Sequence, residues 1–210
     1  MKYSYIYLHG FASNHLSSKA QYFKNKLLPD EVVIPDMNMD DFPNLTLSRQ
    51  LDQVSKLVEE APNPVILFGS SMGGLTALLL AEKYPKIAKL ILLAPAFKMS
   101  ELWAKGDPSA LLFWQQSGAI PIKHYAFDKE LPLNYEFYLD LFKHDHSNFE
   151  RNLPVLNFHG KNDNVVPIEF SREYQVNHPQ STLIELDDDH SLGNSLDFMW
   201  DQVRKFINKS

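Results

Sequence analysis

The stretch of sequence that decides the fold is Val65-Ile66-Leu67-Phe68-Gly69-Ser70-Ser71-Met72-Gly73. Its first four residues form an apolar run that is typical of a buried β-strand, and the residues after Gly74 have the composition of a helix. Between the two stands a G-x-S-x-G motif, which predicts a tight turn with a serine at its tip. Gly69 and Gly73 avoid collisions with the flanking elements, so Ser71 is expected to project from the carboxyl edge of a sheet.

Strands and helices alternate along the chain. The predicted strands are Tyr3 to Leu8, Val32 to Ile34, Val65 to Phe68, Leu90 to Leu93, Val155 to Phe158 and Thr182 to Leu186. The predicted helices are one with a capping box at Ser18 and Gln21, one ending at Glu60, one from about Leu75 to Tyr84, one opening with Pro167, and one marked by Leu196, Met199, Val203 and Phe206. This alternation predicts an α/β fold of three layers, with a mostly parallel sheet of about six strands, in one domain over residues 1–210.

One segment, from about Phe97 to Leu153, interrupts the alternation. It holds 11 of the 26 aromatic residues of the chain. We interpret residues 97–153 as a small cap insertion whose rings line a small-molecule pocket. The alternatives are that the rings form a core of the insertion itself or the contact of a homodimer.

The composition excludes several classes of function. The chain has 210 residues, a formal net charge of −6 and no cysteine. An acidic chain without a basic stretch is a poor partner for nucleic acid, and the apolar runs are too short to span a membrane. Thiol catalysis and cysteine-based metal sites are excluded. No signal peptide is apparent at the N-terminus, so a cytoplasmic location is expected.

A serine hydroxyl attacks a carbonyl group only with help from a base, and the base needs an orienting partner. Asp163 follows the strand Val155 to Phe158, and His190 follows the strand Thr182 to Leu186. Both are therefore expected at the same sheet edge as Ser71. The chain order Ser, Asp, His is the one that accompanies this type of strand-to-helix turn.

Each partner has alternatives. His159 ends a predicted strand and is the alternative base. Asp187, Asp188 and Asp189 are alternative acids, although their place in the loop of His190 makes a solvated turn their ordinary role. Four other histidines are expected on the surface or in the core: His124, His144, His146 and His178. Only two histidines flank Asp145, and without a third ligand no metal site is expected there.

An oxyanion formed at Ser71 would need N–H donors held in place before the reaction. The backbone N–H of Met72 follows the serine directly. The second donor is expected from the loop after the first strand, where Gly10 lets the chain turn and Phe11 offers its N–H group. His9 is interpreted as a supporting residue of this loop.

Four motifs carry a resemblance to a known family: Tyr7-Leu8-His9-Gly10-Phe11, the Gly69 to Gly73 turn, His159-Gly160-Lys161-Asn162-Asp163 with Val166-Pro167, and Asp189-His190. Together they resemble the α/β-hydrolase superfamily and, given the short chain, its small bacterial YqiA-type esterases. The resemblance spans nearly the whole chain except residues 97–153. It implies hydrolysis of carboxylic esters through an acyl-serine, without a cofactor.

Other activities compete with this interpretation. A small, apolar ester is the expected substrate, and amide, acyl-peptide or thioester hydrolysis is the alternative. From a different class, a protein of this fold can bind a small ligand without turnover. A nucleotide-binding domain would need a glycine-rich phosphate motif after the first strand, and the sequence has none.

Overall fold

A computed structural model describes residues 2–144 and 149–209. The strands are β1 (Ser4–Leu8), β2 (Val32–Val33), β3 (Val65–Ser70), β4 (Ile87–Leu93), β5 (Ala119–His124), β6 (Lys129–Asn134), β7 (Val155–Gly160) and β8 (Ser181–Leu186). The helices are α1 (Ser18–Lys26), α2 (Leu47–Glu60), α3 (Met72–Lys83), α4 (Met99–Ala104), α5 (Pro108–Ser117), α6 (Glu136–Leu141), α7 (Ile168–Asn177) and α8 (Leu196–Asn208). None of the helices within these ranges is both long and apolar enough to cross a bilayer.

The main sheet has six strands in the order β2-β1-β3-β4-β7-β8, and every pairing is parallel. This confirms the predicted sheet of about six strands. Since the strands are parallel, their carboxyl ends share one edge, and the loops that carry Ser71, Asp163 and His190 all leave from that edge.

Apolar side chains cover both faces of the sheet, as expected for a sheet between two helical layers. Along β1, Ile6 and Leu8 join a buried cluster with residues of α2 and α3. Tyr5 and Tyr7 of the same strand point into a second cluster with residues of α1 and α8. The period of two along the strand thus builds the three layers.

The helix starts agree only in part with the sequence. Thr46 caps α2 by accepting a hydrogen bond from the Arg49 N–H (3.1 Å). The predicted capping box at Ser18 and Gln21 is wrong, because α1 begins at Ser18 with Ser17 in the cap position and no side-chain capping bond. The Gln21 amide donates to the His15 carbonyl instead (2.8 Å).

The described part of residues 97–153 contains three short α-helices and an antiparallel hairpin, β5 with β6, which the sequence did not predict. Pro121 and Pro132 face each other in this hairpin, and proline is tolerated there because both strands are edges. Leu133 is buried on the inner face, and its carbonyl accepts from the Trp114 indole (2.8 Å). The hairpin therefore packs onto the main apolar cluster of the chain.

Polar contacts at the hairpin and at α6 help to attach this segment to the rest of the molecule. The Tyr125 N–H donates to the Ala12 carbonyl in the loop after β1 (3.0 Å). The side chain of Asn134 donates to that of Asn44 (2.7 Å). Asp140 of α6 is buried and accepts from the Ser48 N–H in the first turn of α2 (2.7 Å), where a carboxylate is favourable for the helix dipole.

Candidate active site

Ser71 lies at the turn between β3 and α3 with φ 52° and ψ −118°, a backbone conformation that a non-glycine residue seldom adopts. Its N–H donates to the Leu93 carbonyl (2.9 Å), and its own carbonyl accepts from Gly74 (2.9 Å) and Ala96 (3.1 Å). A Cβ on Gly73 would collide with the backbone of the β1 end, including the Leu8 carbonyl oxygen. Close packing of backbone on backbone therefore holds the strained serine in place.

The structure brings Ser71, His190 and Asp163 together. His190 Nε2 is 3.2 Å from Ser71 Oγ, and His190 Nδ1 is 2.7 Å from Asp163 Oδ2. A carboxylate only accepts hydrogen bonds, so Nδ1 carries the proton and Nε2 is free to accept from the serine hydroxyl. The His190 side chain is 24% exposed, whereas that of Asp163 is fully buried. Each of the three was predicted, and their catalytic roles stay predictions.

The carboxylate of Asp163 is saturated with donors. Besides His190, it accepts from the N–H groups of Val165 (2.9 Å) and Val166 (2.8 Å) through Oδ1. Burial by itself would raise the pKa of Asp163, but the hydrogen bonds from His159, His190 and Val166 hold that pKa well below its usual range. The acid stays ionised and keeps the imidazole in one tautomer.

His159, the alternative base, lies behind Asp163 and away from the serine. It is fully buried, and its Nε2 is 3.2 Å from Asp163 Oδ2. Within residues 2–144 and 149–209, the hydrogen bonds of its ring involve Ser171 and Val166, and none involves Ser71. Geometry therefore favours His190 as the base.

The three aspartates before His190 play different parts. Asp187 and Asp189 are exposed, as expected for a solvated turn. Asp188 is only 3% exposed and accepts from the Asp189 N–H (2.9 Å), the Asn194 N–H (3.0 Å) and the Ser195 hydroxyl (2.8 Å). The solvated role expected for Asp188 is therefore wrong, since its side chain closes the loop that presents His190.

The two predicted oxyanion donors border the serine. A Cβ on Gly10 would lie 3.2 Å from Ser71 Cβ, so the loop after β1 passes directly beside the nucleophile. Met72 begins α3, where N–H groups have no partner within the helix. In the described part of the chain, neither the Phe11 N–H nor the Met72 N–H has a backbone acceptor.

His9 supports the loop after β1 through two hydrogen bonds of its ring. It is 1% exposed; its Nε2 accepts from the Met37 N–H (2.9 Å), and its Nδ1–H donates to the Gly10 carbonyl (2.9 Å). The imidazole thereby holds the turn at Gly10 against the segment after β2. His9 thus lies in the loop where the sequence placed it, and its supporting role stays a prediction.

Lys19 is a site residue that sequence reasoning missed. It lies in the first turn of α1, with its Nζ 3.5 Å from the His190 carbonyl oxygen. Burial lowers the pKa of Lys19 to about 8, although the carboxylates of Asp163, Asp189 and Asp188 act in the opposite direction. No local motif signals this lysine, because 171 residues separate it from His190.

His124, His144 and His178 lie outside this cluster. His124 is buried between the rings of Phe42 and Phe127. His178 bonds the carbonyls of Tyr174 and Phe149, and the ring of His144 is 2.8 Å from the Ser48 hydroxyl. Two residues of the His144-Asp145-His146 motif, Asp145 and His146, lie outside the described residues. Among the residues that are described, no group of three potential metal ligands occurs.

With this geometry in place, the chain was compared with known proteins. A family model described as Uncharacterised protein family (UPF0227) matches residues 4–207. The chain is a UPF0227 protein. The comparison with curated proteins gave no match.

Solved structures similar to this UPF0227 chain share its fold. Alpha/beta hydrolase domain-containing protein 10 from mouse is 21% identical with a TM-score of 0.82, over 98% of this chain and 89% of the mouse chain. Est1E from Butyrivibrio proteoclasticus is 23% identical with a TM-score of 0.76, over 96% and 85%. A pyrethroid hydrolase from Sphingobium faniae JZ-2 is 15% identical with a TM-score of 0.65, over 98% and 97%. The chain therefore has the α/β-hydrolase fold.

Proposed function

We propose that this UPF0227 protein is a serine hydrolase that cleaves carboxylic esters through an acyl-Ser71 intermediate. The observation that carries the proposal is the unbroken hydrogen-bond chain from Ser71 Oγ to His190 (3.2 Å) and from His190 to the buried Asp163 (2.7 Å). A serine on a strained strand-to-helix turn with such partners is arranged for nucleophilic attack.

In the proposed cycle, Ser71 Oγ forms a bond to the acyl carbon while its proton passes to His190 Nε2. The carbonyl π electrons move onto oxygen. When the tetrahedral intermediate collapses, the bond to the leaving alkoxide breaks and His190 returns the proton to that oxygen. Water then attacks the acyl-serine, gives its proton to His190, and releases the acid while Ser71 regains a proton.

Asp163 and the backbone donors act without changing covalently. Asp163 stays ionised and stabilises the imidazolium that forms at His190. The N–H groups of Phe11 and Met72 stabilise the oxyanion; each such donor is worth about 10² to 10³ in rate. His190 acts as the base in its neutral form.

The surroundings of Phe11 favour an apolar or aromatic substrate. Its ring packs against those of Phe42 (5.7 Å between centroids), Trp103 (5.8 Å) and Phe137 (5.3 Å). Trp103 and Phe137 belong to the segment 97–153, which we propose as a cap over the site. One of the similar solved structures is Est1E with ferulic acid bound. An aromatic acyl group is therefore a substrate worth testing beside simple alkyl esters.

The experiment is hydrolysis of p-nitrophenyl acetate, butyrate and octanoate by the wild type and by Ser71→Ala. We expect a burst of nitrophenol followed by turnover in the wild type, and a loss of at least about 10³-fold in kcat for the variant. Ser191→Ala is the matched control, because its hydroxyl lies in the His190 loop but, among the described residues, bonds only Asp189 and Gly193. Equal rates for wild type and Ser71→Ala would refute the proposal and favour a ligand-binding protein without turnover.

The same protein samples separate the bond types. Anilides and thioesters with the acyl group of the best ester should be cleaved more slowly than the ester itself. If an anilide has the higher kcat/KM, the protein is an amidase and the ester preference is wrong. Methyl ferulate tests the aromatic acyl group.

A further inference from the structure

The hydrogen-bond chain continues beyond Asp163 into the core. His159 Nε2 lies 3.2 Å from Asp163 Oδ2 and 2.9 Å from the Val166 carbonyl oxygen. Its Nδ1 lies 2.7 Å from Ser171 Oγ, and the Asn157 side-chain N–H donates to the same hydroxyl (2.9 Å). His159, Ser171 and Asn157 are at most 1% exposed. Buried polar groups are ordinarily hydrogen-bonded. Here only the side-chain oxygen of Asn157 has no partner within the described residues.

These contacts fix the tautomer of His159. Both neighbours of Nε2, the Val166 carbonyl and the Asp163 carboxylate, are acceptors, so Nε2 carries a proton. That single N–H donates to the Val166 carbonyl (2.9 Å), and Asp163 Oδ2 shares it at 3.2 Å. Ser171 accepts from the Asn157 amide, which leaves its own hydroxyl proton for His159 Nδ1. Every hydrogen bond from Asn157 to Asp163 then has one donor and one acceptor.

Asp163 Oδ2 is therefore shared by two histidines on opposite sides. His190 approaches from the serine side and His159 from the core. Together with the Val165 and Val166 N–H groups on Oδ1, they fix the carboxylate plane. A carboxylate held on both oxygens presents Oδ2 to His190 in one orientation only.

We propose that His159 is a positioning residue, which holds Asp163 ionised and aimed at His190, with Ser171 and Asn157 setting its orientation. This inference rests on the proposed function of Ser71, Asp163 and His190. It assigns to the histidine of the His159-Gly160 motif a role distinct from that of the base. Its hydrogen bond also contributes to the low pKa of Asp163.

The charged and titratable groups that face this pair come from three elements. His190 and Asp189, in the loop after β8, face Asp163, and Lys19 of α1 also acts on it. Glu185 of β8 faces His159. Among the described residues, His159 is the titratable group that contacts Asp163 from the core side.

The test compares two amide variants of His159. A glutamine amide reaches about as far as imidazole Nε2, so His159→Gln keeps a donor for Asp163. An asparagine amide reaches only as far as Nδ1, so His159→Asn keeps the contact with Ser171 and loses the donor. We expect His159→Asn to lower kcat/KM for the best p-nitrophenyl ester roughly 10- to 100-fold, as for a hydrogen bond to a buried charge, and His159→Gln to recover most of it.

A pH profile distinguishes positioning from packing. Without the His159 donor the carboxylate binds a proton and the His190 imidazolium more tightly, so the acid limb of kcat/KM should move to higher pH in His159→Asn. His178→Asn is the control, since His178 is also hydrogen-bonded inside the fold but does not touch Asp163. An acid limb unmoved in His159→Asn, or equal losses in the Asn and Gln variants, would overturn the proposal.

A second readout does not depend on turnover. ¹³C NMR of the Asp163 carboxyl group should show it ionised to the lowest pH at which the wild type stays folded, and titrating at higher pH in His159→Asn. If the wild type cleaves no ester but this shift appears, only the proposed function fails. If esters are cleaved and the Asp163 titration is the same in both proteins, only the role of His159 fails.

Discussion

Lys19 shows how the site uses a charge from a distant part of the chain. Its ammonium group interacts with the carboxylates of Asp163, Asp189 and Asp188, and its Nζ lies 3.5 Å from the His190 carbonyl oxygen. Placing it there disfavours its charged form, because burial lowers its pKa from 10.5 to about 8. The consequence belongs to stability as well as to function.

The folded protein therefore releases the Lys19 proton at a lower pH than the unfolded chain does. Between about pH 8 and pH 10.5 the unfolded state binds more protons, so this group makes the free energy of unfolding rise with pH in that window. Relative to Lys19→Met, the wild type should gain stability across the window. Urea unfolding of both proteins from pH 7 to 10.5 measures the difference.

Lys24→Met is the matched control for this prediction, since Lys24 is an exposed lysine of the same helix. Its free energy of unfolding should differ from that of the wild type by the same amount at every pH. If the free energy of unfolding of Lys19→Met also differs from that of the wild type by a constant amount, Lys19 is not desolvated in the folded protein.

At the same scale, the sequence was informative about some residues and silent about others. Ser71, Asp163 and His190 could be placed at one edge because each directly follows a recognisable strand. The position of His159 at that edge was predicted, but its side chain points to the far side of Asp163, which no local pattern reveals. Lys19 had no signal at all, because its partners are distant in sequence.

At the scale of elements, α5 shows a complete set of helix signals. Asp107 caps its start by accepting from the Ser109 N–H (2.9 Å), Pro108 occupies the first turn, and Gly118 follows its end with φ 78°. This left-handed conformation is the usual end of a helix and favours glycine. A Cβ on Gly118 would have open space around it, so only the backbone conformation opposes a side chain there.

Gly118→Ala should therefore lower the free energy of unfolding by about 1 kcal/mol. Gly118→Asn should lose less, since asparagine tolerates the left-handed conformation. Denaturant unfolding of the two variants beside the wild type makes the comparison. Equal stability of Gly118→Ala and wild type would mean that α5 ends differently in solution.

The sequence did not predict the hairpin of β5 and β6, nor the helices α4, α5 and α6 of the same segment. The strands of the hairpin alternate apolar and polar residues, as in Ile120 and Ile122, but each contains a proline that argues against a strand. In a two-stranded hairpin each strand has a free edge, so the missing N–H groups of Pro121 and Pro132 do no harm. Pairing context, which is not local, overrides the proline signal.

At the scale of the whole molecule, one apolar cluster joins the main sheet to the segment 97–153. Trp114, Leu133 and Phe137 belong to the same buried cluster as Ile6 and other residues of the sheet. A segment that shares its core with the sheet has little reason to unfold alone. We therefore expect one cooperative transition for the chain, in keeping with one domain that carries a cap.

The three tryptophans make this testable. Trp103 and Trp114 lie in the segment 97–153, and Trp200 lies in α8. In Trp200→Phe, fluorescence reports only on the segment, while far-UV circular dichroism reports on the whole chain. Coincident midpoints in urea are expected. A fluorescence transition at clearly lower urea would mean that residues 97–153 form a separate unit.

Covalent labelling is the most direct test of Ser71 as the nucleophile. A fluorophosphonate ester should phosphonylate Ser71 with loss of fluoride, and tandem mass spectrometry should locate the adduct on that residue. We expect full labelling of wild type and of Ser70→Ala, and none of Ser71→Ala. Labelling must also fall by orders of magnitude in His190→Ala, because the serine then lacks its base. An adduct on another residue, or equal labelling of Ser71→Ala, would show that Ser71 is not the nucleophile.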